Sequence, residues 1–310
     1  MKISAYTTTF NCEERGYPFL ECIEDLHSFA DEVCIADGGS SDNTLKLIKK
    51  HFPTAKVKTF PIDMSHPRWA IYSDGYLKND ARAMCTGDVL WQCDTDEFIH
   101  ENNRLEVKRL CKMVYDQQIY VALPVLEFWG SLDQIRADMY PKPRITPNIP
   151  YVKHGIPERS KEFDETGHEY PRPYESDTCD YINIAGNVRQ QFHEFNQSSP
   201  IAIWHVSWLD LERKIRNYKD HWHEFHNSMY NLQRKDTSAH NVMFDKPWSQ
   251  VTDKNIRAMA KILYEKGPRT FHEKVADWEG SVIQLPNKES VPRLVSNWFN
   301  NNVRSHCSYL

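Results

Sequence analysis

Apolar and polar positions change period in a regular way over the first hundred residues. Ile3 to Phe10 alternates like a strand and ends at Asn11. Phe19, Leu20, Ile23 and Leu26 then recur at helical spacing, which predicts a helix from Glu13-Glu14 to about Ala30. Glu32 to Ala36 is a second strand, followed by a helix through Lys50, and Ala55 to Phe60 is a third. Asp74 to Thr86 predicts another helix, and Val89 to Ile99 is an apolar run that reads as a buried strand. This β-α-β-α-β alternation implies an α/β fold with a mostly parallel sheet and right-handed crossovers.

Val121 to Phe128 predicts a strand with Trp129 at its end. Residues 141–180 are rich in Pro, Tyr and charge and read as a long ordered excursion, the kind of segment that forms lids and binding loops. Ile201 to Trp208 is a short apolar strand with His205 in its middle. From Asp210 onward the pattern is helical, over Leu211 to Gln233, Thr252 to Lys266 and Val291 to Val303. The expected division is therefore a domain over 1–209, with 1–130 and 131–209 as its two parts, and a helical extension over 210–310.

Composition narrows the class. The 310 residues are 40% hydrophobic and 26% charged, as in a soluble globular protein, and the net charge of -5 offers no overall basic field for nucleic acid. The eight cysteines are scattered singles with no C-x-x-C pair, which favours a reducing, cytoplasmic compartment and argues against a zinc ribbon. No signal-peptide layout opens the chain, and no apolar stretch approaches the ~20 residues that span a membrane. His221, His223 and His226 do not converge on one helix face, and H-E-x-x-H is absent.

The chemistry concentrates at strand ends. Asp94, Asp96 and Glu97 follow the buried run, and three crowded carboxylates call for something positive beside them. Asp94 and Asp96, two apart in extended chain, point to one side and suit Mg²⁺ or Mn²⁺. Solvated carboxylates capping the next helix fit the same residues. The preceding helix carries Lys78, Asn79 and Arg82. After the second strand comes Asp37-Gly38-Gly39-Ser40-Ser41-Asp42-Asn43-Thr44, whose glycines permit a tight turn and close backbone approach. It is neither a G-x-G-x-x-G fingerprint nor a Walker loop. Asp37 can accept hydrogen bonds there from a nucleobase or ribose.

Taken together, Thr7-Thr8-Thr9-Phe10-Asn11-Cys12-Glu13, the Asp37 loop and Gly87-Asp88-Val-Leu-Trp-Gln-Cys-Asp94-Thr-Asp96-Glu97 resemble glycosyltransferase family 2 in order and spacing. The likeness covers roughly residues 1–130. It implies the GT-A fold, a mixed, mostly parallel sheet flanked by helices, and hexosyl transfer from a nucleotide-diphosphate sugar to a glycan or other hydroxyl-bearing acceptor. It implies that Thr9 and Asp37 hold nucleobase and ribose, with Thr7, Glu13 and Gly39 in the same donor-binding motifs. Arg82 falls near the diphosphate contacts, though the family's Arg-Asn pair is here Asn79-Asp80-Ala81-Arg82. Asp94 and Asp96 match the metal pair, His205 resembles the late-strand His that joins it, and Trp129 borders the acceptor side. A core His beside two Trp is the other reading of His205. The Gln-x-x-Arg-Trp motif of processive synthases is missing, which points to single transfers. Inversion, which family members share, requires a carboxylate base, for which Glu158, Asp177 and Asp180 are the candidates, Glu158 first. Two rivals are a non-catalytic nucleotide-sugar-binding protein and a sugar-phosphate nucleotidyltransferase. The latter would want a Gly-rich first loop that Thr7 to Glu14 lacks.

Overall fold

The computed structural model describes residues 1–63, 69–136, 141–150, 152–154, 181–183, 192–194, 201–217, 240–241, 244, 246–267, 282–284, 291–304, 306–307 and 309–310. The chain divides into two compact units, Met1–Pro124 with Pro141–Ile203, and Val125–Tyr140 with Trp204–Leu310. Both are discontinuous in sequence, whereas the sequence pattern suggested a single cut after residue 209.

The first unit is built on β1 (Ile3–Thr9), β2 (Glu32–Asp37), β3 (Lys56–Thr59), β4 (Val89–Gln92), β5 (Glu97–Ile99), β6 (Tyr120–Leu123), β9 (Lys142–Pro147), β10 (Val152–His154), β11 (Tyr181–Asn183) and β12 (Phe192–Glu194). Seven of these form one sheet in the order β12-β6-β9-β4-β1-β2-β3. β1 pairs in parallel with both β2 and β4, and β2 with β3, while β9 runs antiparallel between β4 and β6. The sheet is thus mixed and mostly parallel, as expected. Helices α1 (Phe19–His27), α2 (Thr44–His51), α3 (Trp69–Ala83) and α4 (Arg104–Gln117) complete the unit. Residues of both parities in β1 and β2 are buried, so both faces of the central sheet are covered. On one face Tyr6, Cys34, Ala36 and Leu90 pack against Leu77, Ala81 and Cys85, from α3 and just after it.

Two departures from the sequence pattern have local causes. α1 starts at Phe19, because Asn11 and Gly16 take positive φ in a turn and Pro18 stands at the helix entrance. The excursion over 141–180 begins with a strand of the main sheet, β9, although Pro143 and Pro147 lie in it. Pro143 sits at a register shift against Val121/Ala122, where the ladder is already interrupted and a missing N–H does no harm.

The second unit carries β7 (Val125–Trp129), β8 (Gln134–Arg136), β13 (Ile203–Trp208), β14 (His240–Asn241), β15 (Lys246–Pro247) and β16 (Val282–Gln284), with α5 (Leu211–Asn217), α6 (Asp253–Lys266) and α7 (Arg293–Asn302). The region after residue 210 is therefore not purely helical. α6 opens with a capping box in which Thr252 and Asn255 satisfy each other's backbone N–H groups. The part of the expected helix beyond Asn217, with His221, His223 and His226, lies outside the described residues.

Trp129, placed by the resemblance beside the acceptor, is a core residue of this unit. It is fully buried, stacks on Trp208 at 5.1 Å, and its indole N–H donates to the Leu263 carbonyl at 3.0 Å. Leu211, Ile215, Ile256, Ala260 and Leu263 fill the same cluster. Trp129→Ala should cost about 3–5 kcal/mol in urea unfolding, because it leaves an aromatic-sized cavity. A variant of wild-type stability with an altered acceptor preference would restore the expected role.

Candidate active site

The carboxyl ends of β1, β2 and β4 lie side by side, and β1, with β2 on one flank and β4 on the other, is where the strand order reverses. Open α/β sheets bind ligands at that crevice. Thr9 is in register with Asp37 across β1 and β2, which brings the first two motifs together.

Asp37 is fully buried. Its Oδ2 accepts the backbone N–H groups of Gly39 and Ser40, both at 2.9 Å, and its Oδ1 accepts the hydroxyls of Thr9 at 3.0 Å and Ser40 at 2.5 Å. Four bonds fill the carboxylate's acceptor directions. In this structure Asp37 shapes the loop, and Thr9 is one of the donors that hold it. Gly39 has φ +91, a conformation a side chain would strain. A Cβ on Gly38 would stand 2.6 Å from Ile62 Cδ1, the end of a flexible side chain that would have to shift. Asp42 accepts the Thr44 N–H at 2.9 Å and stabilises the start of α2.

Two other residues of the donor motifs lie nearby in sequence. Thr7 is buried within β1, and its hydroxyl has no hydrogen-bond partner among the described residues. Glu13 is exposed in the turn before α1, where its backbone N–H donates to Thr44 Oγ1 at 3.1 Å.

The acidic run breaks into two strands, β4 and β5, with Asp94 and Asp96 in the connection and Glu97 opening β5. The positive charge such a cluster demands comes from the chain itself. Arg144 on β9 grips the buried Glu97 with two bonds, Nε to Oε2 at 2.8 Å and Nη2 to Oε1 at 2.6 Å. The same Nη2 reaches Asp94 Oδ2 at 3.1 Å, and Lys142 Nζ donates to Glu97 Oε1 at 3.0 Å. From α3, Lys78 Nζ stands 3.1 Å from Asp94 Oδ1, which also accepts from Gln92 Nε2 at 2.8 Å. Burial alone would push the Asp94 carboxyl up, but Lys78, Arg144 and Lys142 outweigh it and hold the group well below the usual carboxylate range. Asp96 is buried, whereas Asp94 is half-buried.

Of the two cations expected on α3, Lys78 faces the acids and Arg82 does not. The Arg82 guanidinium donates to Val152 O at 2.9 Å, Thr146 Oγ1 at 2.8 Å and Pro147 O at 2.8 Å. It fastens β9 and β10 to the helix. Asn79 adds a reciprocal pair, accepting the His154 N–H at 2.8 Å and donating to its carbonyl at 3.0 Å. Arg144 and Lys142 were not among the sequence candidates. Their signal is basic residues at i and i+2 in a segment that must extend, matched to a cluster of acids elsewhere.

Asp94 and Asp96 fit a hard divalent cation as donors, since both offer carboxylate oxygens, Asp94 is held ionised, and among the described residues its Oδ2 accepts one hydrogen bond, from Arg144. His205 belongs to the second unit, where its Nδ1 lies 3.1 Å from Glu127 Oε1. A carboxylate behind one ring nitrogen serves a metal-ligating His and satisfies a core His equally. The base candidates Glu158, Asp177 and Asp180 lie outside the described residues.

Glu127 itself has a marked environment. Burial would raise its carboxyl, but Arg136 first, then His205 and Lys214, lower it from 4.5 to about 2. A depressed folded-state value contributes stability above the unfolded value and loses it as pH falls through the folded one. Wild-type protein should thus lose on the order of 3 kcal/mol from this group as pH drops from 4.5 to about 2. Urea midpoints across that range should fall less steeply for Glu127→Gln. Equal slopes would mean that the carboxylate is not held by these partners.

No protein-family model matches the chain. Over 105 residues it is 30% identical to chondroitin synthase from Escherichia coli, a match that takes in 31% of this chain and spans only 13% of that relative's length. Among solved structures, S. aureus TarS 1-349 in complex with UDP-GlcNAc is similar over 88% of this chain and 75% of that one, at 13% identity and a TM-score of 0.40. Glucosyl-3-phosphoglycerate synthase from Mycobacterium tuberculosis, in complex with Mn²⁺, UDP and glucosyl-3-phosphoglycerate, is similar over 41% of this chain and 44% of that one, at 20% identity and a TM-score of 0.27. At TM-scores this low neither structure carries an argument, and the site rests on its own geometry, in a mixed α/β fold of the kind the motifs led us to expect.

Proposed function

We propose that the chain is a glycosyltransferase that moves a sugar, hexosyl by resemblance, from a nucleotide-diphosphate donor to a hydroxyl-bearing acceptor, with inversion and one transfer per encounter. The observation that carries this reading is the pairing, at one sheet crevice, of the Asp37 loop with an ionised Asp94 held between Lys78 and Arg144. The segment at 30% identity to chondroitin synthase supports sugar transfer as the reaction class. The seven cysteines among the described residues are free thiols, which suits the cytoplasm, and no helix among those residues is long and apolar enough to cross a membrane.

In this reading the Asp37 loop presents its backbone to the nucleoside, and Lys78 and Arg144 face the diphosphate. Mn²⁺ or Mg²⁺, held by Asp94 and Asp96, would neutralise the leaving nucleotide diphosphate as a Lewis acid. Lys78 and Arg144 keep Asp94 ionised and aimed, and their burial strengthens that attraction. A base from the segment after β10, with Glu158 the first candidate, takes the acceptor proton. Arg82 and Asn79 act by fixing β10, from which that segment departs.

Lys78, Lys142 and Arg144 offset most of the formal charge of Asp94, Asp96 and Glu97, and Lys78 is shared with Asp74 at 2.8 Å, which leaves about one net negative charge. The turn alone therefore has little net attraction for a dication, and a bound diphosphate supplies it. Calorimetry should show Mn²⁺ binding at least about tenfold tighter with UDP, GDP or CDP present, a coupling of roughly 1.4 kcal/mol or more. Asp96→Ala should lose that coupling, and also donor hydrolysis in a screen of uridine, guanosine and cytidine nucleotide sugars. Mn²⁺ affinity indifferent to every nucleotide, or wild-type turnover by Asp96→Ala in chelator-treated buffer, would refute the metal reading. Tight donor binding without turnover on any acceptor would make the protein a nucleotide-sugar-binding module.

A further inference from the structure

At the other end of β2 from Asp37, a second group of side chains converges. Glu32 and Cys34 are two apart in the strand and point to one face, and Cys85, just beyond the end of α3, meets them there. One ligand atom from each, the two thiol sulfurs and a Glu32 oxygen, all lie within 4.8 Å of one another. We propose that Glu32, Cys34 and Cys85 form a binding site for a thiophilic divalent cation of the Zn²⁺ class, with the fourth position taken by water.

The spacing suits the ion. Cys34 Sγ lies 3.6 Å from Glu32 Oε1. A tetrahedral Zn²⁺ with bonds of about 2.3 Å to sulfur and about 2.0 Å to oxygen requires an edge of about 3.5 Å. The carboxylate is already fixed. Its Oε1 accepts from Ser4 Oγ at 2.8 Å and the Thr86 N–H at 2.7 Å, and its Oε2 from Lys2 and Lys56 at 2.8 and 2.6 Å and from Thr86 Oγ1 at 2.8 Å. These donors hold the carboxylate in place, and a cation would take the direction on Oε1 that the Cys34 S–H occupies, 3.6 Å away, before its proton leaves. All three ligands are shielded, since the Glu32 side chain is 6% exposed and the cysteines are buried.

Charge balance favours the exchange. Before binding, two neutral thiols and one carboxylate face the ammonium groups of Lys2 and Lys56. On binding, two S–H protons leave to solvent, two S–metal bonds form, and the dication replaces the charge of the two protons. The net charge of the cluster is unchanged, so the lysines raise no added electrostatic barrier. The rival pair, Cys22 and Cys93, also brings two sulfurs together, at 3.8 Å, but its further sulfur contacts are to the backbone carbonyls of Asp94 and Glu97, with no side-chain oxygen to complete a set.

Five strand steps, roughly 16 Å, separate Glu32 from Asp37, so this site is independent of the sugar-transfer reading. The test is titration of chelator-treated protein with Cd²⁺, following thiolate-to-metal charge-transfer absorbance in the ultraviolet. One equivalent should bind, be displaced by Zn²⁺, and disappear in Cys34→Ser and Cys85→Ser, while Cys22→Ser keeps it. Ser4→Ala should weaken binding about tenfold or more by freeing the carboxylate. Absence of the band in wild-type protein, or its survival in a folded Cys34→Ser/Cys85→Ser variant, would overturn the proposal. Should the serine variants fail to fold, X-ray absorption of Zn²⁺-loaded wild type decides it: two sulfur ligands at about 2.3 Å support the site, and an all-oxygen or nitrogen shell overturns it.

Discussion

The buried pairing of Arg144 with Glu97 is the interaction on which the rest of the candidate site depends. Glu97 is 1% exposed, and a carboxylate so placed would be costly without a partner. Arg144 supplies a two-bond match, and its remaining reach to Asp94 ties the turn between β4 and β5 to β9. A second tie closes the turn from within, because Glu97 Oε2 also accepts the Asp94 N–H at 3.2 Å. The acidic connection is thereby one rigid object, with Asp94 ionised at its rim and Lys78 facing it from α3. β9 is held there by its pairing with β4 and β6, and Arg82 fastens its end through Thr146 and Pro147.

Much of this was legible in the sequence. Strands β1, β2 and β4 show as apolar runs, and the Asp37 loop is marked by paired glycines, one of which takes a left-handed backbone angle. The demand for positive charge beside Asp94, Asp96 and Glu97 follows from Coulomb repulsion alone. Its source does not. Lys78 and Arg82 are four apart on one helix, so they share a face, and only the depth of each along the sheet decides which meets an acid and which meets β9 and β10. β9 was hidden for a different reason. Pro141, Pro143 and Pro147 make the segment look like a loop, and a register shift that tolerates proline cannot be read from one strand alone. Trp129 shows the same limit, because a Trp at a strand end reads alike whether it meets a substrate or Trp208.

The two ends of β2 divide the labour of the sheet. At its carboxyl end Asp37 arranges backbone and hydroxyl donors around an ordered loop, which leaves the crevice beside β1 for a ligand. At its amino end Glu32 gathers Lys2, Lys56, Ser4 and Thr86, and so joins the chain's first residues to the segment after α3. Each end is an acid held by several short-range donors, which gives the sheet two polar, hydrogen-bonded termini.

The central claim is that a buried ion pair, and not packing alone, holds the acidic turn. A double-mutant cycle in urea unfolding tests it most directly. Arg144→Met alone should cost about 3–5 kcal/mol, because it takes the two-bond cationic partner from a buried carboxylate. Arg144→Met/Glu97→Gln should recover part of that loss, with a coupling of about 1–3 kcal/mol. Strictly additive losses, or an Arg144→Met protein within about 0.5 kcal/mol of wild type, would contradict the account.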